Sequence, residues 1–369
     1  MSEIPLVGSF AASAHAGSPT TSLLTQQGEA RDALLHIAMA QVLPDDSGLH
    51  ATPRSGLSKL ENWAAKAAQE GADVVVFPEY FLSGATHELW SSVRGQQSQA
   101  EQGEQAWLDV ILHVARKYNV DVVAGTVVEL ETKAELPHRK DGGELYNTSY
   151  YVSRAGEVHR YTKQNLWHPE RATLSNSHPG SHPDQHELAT FVIETKRGTR
   201  VRAAMAICWD LAWYDRFNQM LTPPFSAASD LDRDGQVKGP DVIFAPTCWY
   251  ASDGGAAALA WNPCAEARLL DSLTQARAVE IEALVVMCNI AGPIFSPDQI
   301  QSLTQQIKAN PDTDLPLIGL GRSTIAAPFL GIAAQTPDAN EALLLQSIDL
   351  NVLLDARQVY RMRYDHALR

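Results

Sequence analysis

Up to residue 128 the chain alternates short apolar runs with amphipathic stretches, and this order restricts its fold more than any other feature. Residues 34–42, 74–77 and 120–128 are apolar at nearly every position, as strands covered on both faces must be. The stretch between the first two reads as a helix. Thr52-Pro53 supplies a cap and first turn, Leu57, Leu60, Ala64, Ala67 and Ala68 share one face, and Gly71 ends it. Residues 104–118 read as a second helix, with Trp107, Leu108, Ile111, Leu112 and Ala115 inward and Asn119 as its stop. The resulting β-α-β-α-β order predicts a sheet covered by helices.

Beyond residue 128 strands dominate. Residues 147–153 and 157–161 flank Arg154-Ala155-Gly156 as one hairpin, and 188–194 and 200–207 flank Lys196-Arg197-Gly198 as another. A buried strand at 241–246 follows a polar insertion at 221–240. A long helix, 265–283, leads to a strand at 284–290, and the proline-containing stretch 292–321 reads as irregular. Strands near 323–327, 330–335 and 343–350 precede a last helix, 351–360. The expected fold is α/β, a four-layer α-β-β-α sandwich of two mixed sheets covered by helices. The expected organisation is one domain, 34–361, between a mobile tail at 1–33 and a short tail at 362–369.

Composition excludes several function classes. There are 29 basic residues against 43 acidic ones, a formal charge of -14, and no basic block, so nucleic acid lacks its electrostatic footprint. No apolar run approaches the roughly 18 residues of a membrane span. Residues 4–16 do not read as a signal peptide, because Glu3 stands where a basic residue belongs and Pro5 and Gly8 break the apolar segment. Four cysteines, Cys208, Cys248, Cys264 and Cys288, are too few for a disulfide framework and lack zinc spacing. A reducing, cytoplasmic location is expected.

Three chemically suggestive residues stand just past apolar strands: Glu79, Lys163 and Cys208. Strand ends are where open α/β sheets place their ligands. Each has a plain explanation, as a turn cap, a solvated lysine or a small buried hydrophobe. Together they are a base, a cation and a nucleophile. A helix start after Cys208 and a nearby lysine both favour a thiolate, while a carboxylate can take the thiol proton.

Residues 34–361 resemble the nitrilase superfamily of carbon–nitrogen hydrolases. Phe77-Pro78-Glu79 is similar to that family's glutamate motif, Tyr161-Thr162-Lys163-Gln164-Asn165-Leu166 to its lysine motif, and Ile207-Cys208-Trp209-Asp210-Leu211 to its cysteine motif. Pro169-Glu170-Arg171 resembles the loop with the family's second glutamate. Asn262-Pro263 and Asn289-Ile290-Ala291-Gly292-Pro293 resemble fungal-type members of unassigned substrate. Two stretches depart from the pattern. Trp213-Tyr214-Asp215 replaces an aromatic-Pro-Glu triplet, and Ile281 stands where asparagine commonly follows the helix glutamate, Glu280.

The resemblance implies a cysteine hydrolase of a small amide that needs no cofactor and no metal. In that mechanism Glu79 takes the Cys208 proton, Lys163 and the Trp209 N–H hold the oxyanion, and Glu170 orients substrate or water. In that family, aspartate at the position of Asp210, two residues after Cys208, favours amide over nitrile substrates. A nitrilase and a catalytically silent binding or scaffold protein are the alternatives. The resemblance also implies a homodimer, packed through the helix after Cys208 and through 351–360, by way of Trp213, Tyr214, Phe217, Leu353, Leu354 and Val359.

Other features carry less. Trp209, Trp249 and Tyr250 are candidate substrate contacts, although Trp249, Tyr250 and Trp261 are equally compatible with core packing. His178, His182 and His186 have helical ligand spacing, but Pro179, Gly180 and Pro183 forbid the helix. Cys248 and Cys288 read as inert filler.

Overall fold

The first sheet is built from β1 (Leu6–Val7), β2 (Leu34–Gln41), β3 (Val74–Val76), β4 (Asp121–Glu131), β5 (Glu144–Val152) and β6 (Val158–Thr162), with β13 (Ala342–Asp349) joining from the end of the chain. Its order is β1-β13-β2-β3-β4-β5-β6. The second sheet runs β12 (Gly331–Gln335), β11 (Thr324–Ala327), β10 (Leu284–Cys288), β9 (Val242–Pro246), β8 (Arg200–Met205), β7 (Phe191–Glu194). This computed structural model describes residues 3–10, 33–44, 55–100, 106–131, 143–177, 190–221, 239–310 and 312–368.

Both sheets share one design. Three parallel strands form the middle (β2, β3, β4 and β8, β9, β10), and antiparallel neighbours flank them. Alternation along each strand sets the layers. In β2, Leu35, Ile37 and Met39 face the second sheet's Val201, Phe244 and Val286, while Ala38 and Ala40 turn to the helices α1 (Ser55–Glu70) and α3 (Ala106–Tyr118). β3 divides likewise, with Val74 and Val76 inward and Val75 towards Leu60, Ala64 and Ile111. The second sheet is covered by α4 (Tyr214–Gln219) and α6 (Ala265–Ile281) through Phe217, Leu270, Ala278 and Ile281. The four-layer α-β-β-α sandwich is therefore present, and double coverage explains why the central strands are apolar at successive positions.

Several expectations change. Helices α2 (His87–Ala100), α5 (Gly255–Trp261) and α7 (Pro297–Ala309) occupy stretches read as connections. The α7 signal was present within 292–321: Ser296 caps it, accepting from the Gln299 N–H at 3.3 Å, and Pro297 opens its first turn. Residues 362–369 are not simply a tail, because α9 (Met362–Ala367) follows α8 (Asn351–Tyr360). Arg363, 2% exposed, donates to the Ile281 carbonyl at 2.7 Å, and Glu282 accepts from the Met362 N–H at 2.9 Å. Two buried arginines, Arg357 and Arg363, thus close the C-terminal end of α6. Within the expected N-terminal tail, β1 pairs in parallel with β13. Thr52-Pro53, residues 222–238 of the insertion, and His178, His182 and His186 lie outside the described residues. Among the described residues no helix is long and apolar enough to cross a membrane.

Candidate active site

Three strand ends bring Glu79, Lys163 and Cys208 together. Glu79 leaves β3 on a loop pressed against β4: Gly125 there has φ +69°, and a Cβ on it would sit 2.1 Å from the Pro78 carbonyl oxygen. Only glycine permits that approach. Tyr80, at φ +58°, then turns the chain, its N–H donating to Thr126 Oγ1 at 2.9 Å. Lys163 follows β6, its own N–H donating to the Asn147 carbonyl at 2.8 Å. Cys208 follows β8 at φ +43° and opens the short 3-10 turn Cys208–Ala212. A non-glycine residue in the left-handed region is uncommon and, at a nucleophile, aims the side chain away from the strand.

The polar contacts converge on the lysine. Lys163, with no exposed surface, donates to Glu79 Oε1 at 2.8 Å and to Glu170 Oε1 and Oε2 at 2.8 and 3.0 Å. Glu79 Oε1 also accepts from Asn147 Nδ2 at 2.8 Å, and its Oε2 from the Cys248 N–H at 2.9 Å. Glu170 accepts from the Trp167 N–H at 2.7 Å and from the Tyr80 hydroxyl at 2.5 Å. The Cys208 thiol donates to the Cys248 carbonyl at 3.8 Å and lies close enough to feel the Glu79 charge.

These surroundings set the charge states. Burial pushes Glu79 up to about 7 against the pull of Lys163, and Glu170 adds to the rise. Burial opposes the Lys163 charge, yet Glu170 and Glu79 outweigh it and hold the ammonium well above the usual lysine range. Burial and then the Glu79 charge push the Cys208 thiol well above its ordinary value, with Lys163 opposing. The expected resting thiolate is therefore corrected to a resting thiol. Lys163 is already shared by two carboxylates, so the thiol meets net negative surroundings.

Asp210, fully buried, ties the nucleophile turn to the lysine loop. Its carboxylate accepts from the Ile207 N–H at 2.9 Å, the Tyr161 hydroxyl at 2.7 Å, and the Asn165 N–H and Nδ2, both at 2.9 Å. Tyr161 and Asn165 bracket Lys163, so one side chain fixes Cys208 relative to the cation.

A cavity of about 40 Å³ borders Cys208, room for only a few waters. Among the described residues it is lined by Trp167, Trp209 and Trp249, by Glu170, Asp253 and Glu266, and by Cys248. Trp209 packs edge-on to Trp167 at 4.5 Å between ring centres and lies 5.4 Å from Trp249. Trp209 and Trp249 thus border the cavity. Tyr250 does not line it; its backbone pairs with Gly319 and its N–H donates to Asp253 Oδ2 at 2.8 Å. Trp261, 91% exposed, belongs to neither cavity nor core. Cys288 lies buried within β10, but Cys248 is more than filler, since its backbone holds Glu79 and accepts from Cys208, and it borders the cavity. The sequence reading also missed Asn147, Trp167, Asp253 and Glu266. Asn147 alone left a signal, as a polar residue in a strand buried on both sides.

Comparison with known proteins bears on the family and the fold. The carbon-nitrogen hydrolase family profile matches residues 36–218. A nitrilase of Pyrococcus abyssi is 31% identical over 119 residues, which are 32% of this chain and 40% of that protein. The matched stretch thus spans less than half of that relative. Saccharomyces cerevisiae Nit3, of branch 10 of the nitrilase superfamily, superposes with TM-score 0.58 at 19% identity, over 88% of this chain and 94% of its own. An amidase from Nesterenkonia sp. superposes with TM-score 0.56 at 19% identity, over 90% and 97%.

Proposed function

The chain belongs to the nitrilase superfamily of carbon–nitrogen hydrolases, and from that premise we propose that it hydrolyses the C–N bond of a small amide through a thioester on Cys208. The observation that carries this reading is a buried carboxyl raised to about 7 and bonded to a lysine, packed together with a thiol that borders a cavity. A binding module has no use for a buried base and a thiol placed side by side.

The chemistry follows from the charge states. Glu79 takes the Cys208 proton as Sγ attacks the amide carbon, so the thiolate exists only as it reacts. The electron pair displaced onto oxygen is held by Lys163 Nζ and by the Trp209 N–H, which lies in a first turn where no helical acceptor exists. Protonated Glu79 then donates to the nitrogen, the C–N bond breaks, and ammonia or an amine leaves. Water enters, gives a proton to Glu79 and attacks the thioester, releasing the acid and restoring the thiol. Glu170 keeps Lys163 in place and borders the cavity, where it orients substrate or water. This route uses no metal or organic cofactor.

A nitrile would meet the same three groups and pass through a thioimidate, so the triad does not choose between substrates. Asp210 after Cys208-Trp209 favours the amide reading. The test is ammonia release from paired amides and nitriles of the same carboxylic acids. Higher kcat/KM for the amides supports the proposal, and higher values for the nitriles overturn it. A reducing cytoplasm suits a nucleophile that must remain a thiol.

A further inference from the structure

The cavity beside Cys208 carries more negative charge than the hydrolysis of a neutral amide requires. Glu170 is answered by Lys163. Asp253 and Glu266 are not answered: among the described residues neither forms an ion pair. Glu266 is 8% exposed, and its carboxylate accepts from the Trp249 indole N–H at 2.7 Å. Asp253 accepts from the Tyr250 N–H at 2.8 Å and borders the same space. Glu266 is buried and Asp253 half-buried, and a stability argument gives no reason to set two acidic residues at one cavity without a cation. Burial pushes Asp253 up to about 7, with Glu266 and Glu170 adding to the rise.

The remaining wall is aromatic. Trp167, Trp209 and Trp249 form a continuous run of indoles, and an ammonium against such faces gains cation–π attraction that a methyl group lacks. Among the described residues no group of three or more side chains is placed to hold a metal ion, so the cation this wall fits is organic. A carboxylate-bearing substrate would face three like charges here.

We propose that the amide cleaved at Cys208 carries a positively charged amine a few atoms from the scissile bond, received between Asp253, Glu266 and the tryptophan wall. Asp253, Glu266 and Cys208 line the same small cavity, which keeps the charged amine close to the scissile bond. This rests on the assignment of Cys208 as the reacting centre.

The test pairs glycinamide, beta-alaninamide and gamma-aminobutyramide with their neutral isosteres propionamide, butyramide and valeramide, and includes succinamate as the anionic case. Turnover is measured on the native protein, and binding by calorimetry on Cys208→Ala. At the best chain length the ammonium amide should exceed its isostere on the order of tenfold or more, as one charged hydrogen bond allows, and succinamate should be the poorest. Asp253→Asn and Glu266→Gln should each bring the cation-to-neutral ratio towards one, and Asp253→Glu should restore part of it. Equal or better binding of the neutral amides at every length overturns the inference, as does a ratio unmoved in both variants. The two readings fail separately. Cation-selective binding without turnover sinks the hydrolase assignment and keeps this one; turnover without selectivity does the reverse.

Discussion

Lys163 Nζ stands 2.8 Å from Glu79 Oε1, with both side chains shut away from solvent. The lysine therefore serves two ends, since it neutralises a buried base and presents the charge on which an oxyanion forms. Lys163→Ala should lower kcat on the order of a hundredfold or more, as loss of an oxyanion donor does. It should also cost about 3 kcal/mol of stability, because Glu79 and Glu170 are left facing each other without a cation. Thermal unfolding and steady-state kinetics on one preparation check both. A variant with near-native kcat would remove Lys163 from the chemistry.

The pH profile follows from Glu79. As the base it must be ionised, and its acid form predominates below about 7. Activity should rise with pH through an acid limb centred near 7. No alkaline limb from Cys208 is expected in the ordinary thiol range, since the protonated thiol is the reactant and its pKa is pushed well above that range. Asp253 is also pushed up to about 7, so variants must separate the two. In Asp253→Asn the limb should persist, whereas Glu79→Gln should lose the limb together with turnover.

Cys208→Ala should abolish turnover with little change in unfolding temperature, because the thiol adds little packing at the end of β8. Cys248 borders the same cavity and is the rival nucleophile. Peptide mass spectrometry after a slowly hydrolysed substrate should find the acyl group on Cys208. An adduct on Cys248 would transfer the assignment one loop away.

Asp210 acts through others, as a positioning residue. Asp210→Asn keeps one acceptor oxygen but turns an amide towards the donors of Ile207, Tyr161 and Asn165, at a cost of about 1–3 kcal/mol. Turnover should fall with little change in KM. Alkylation of Cys208 should slow with it, while alkylation of exposed Cys264 stays constant and serves as the control. Parallel slowing of both thiols would mean general unfolding instead.

A second copy of the chain is the proposed cover for the exposed apolar side chains. Trp213 and Tyr214 beside α4, and Leu354, Val359 and Tyr360 on α8, stand in solvent, whereas Phe217 and Leu353 from the same helices are buried in the core. Sedimentation should find a dimer, and Trp213→Asp with Val359→Asp should dissociate it. A native chain that stays monomeric at high concentration contradicts the proposal.

What the sequence determined by itself was local and periodic. Double-sided burial writes apolar runs into 34–42, 74–77 and 203–207, and a residue that must stand at a strand end is adjacent in the chain to the strand that carries it. Glu79, Lys163 and Cys208 were legible for that reason, and Ser296-Pro297 marked α7 as well, although the prolines around it read as irregular. Tertiary structure decided everything that depends on burial and on groups distant in the chain. Whether Cys208 rests as thiol or thiolate turns on how many carboxylates share Lys163, and Glu79 and Glu170 reach it from opposite sides in sequence. Arg363 lies in a polar stretch with no periodic mark, yet it is buried because the carbonyls at the end of α6 need donors. Asp253 and Glu266 belong to a loop and a helix of ordinary composition, and only the packing of that helix beside Trp249 turns them into the wall of a cavity.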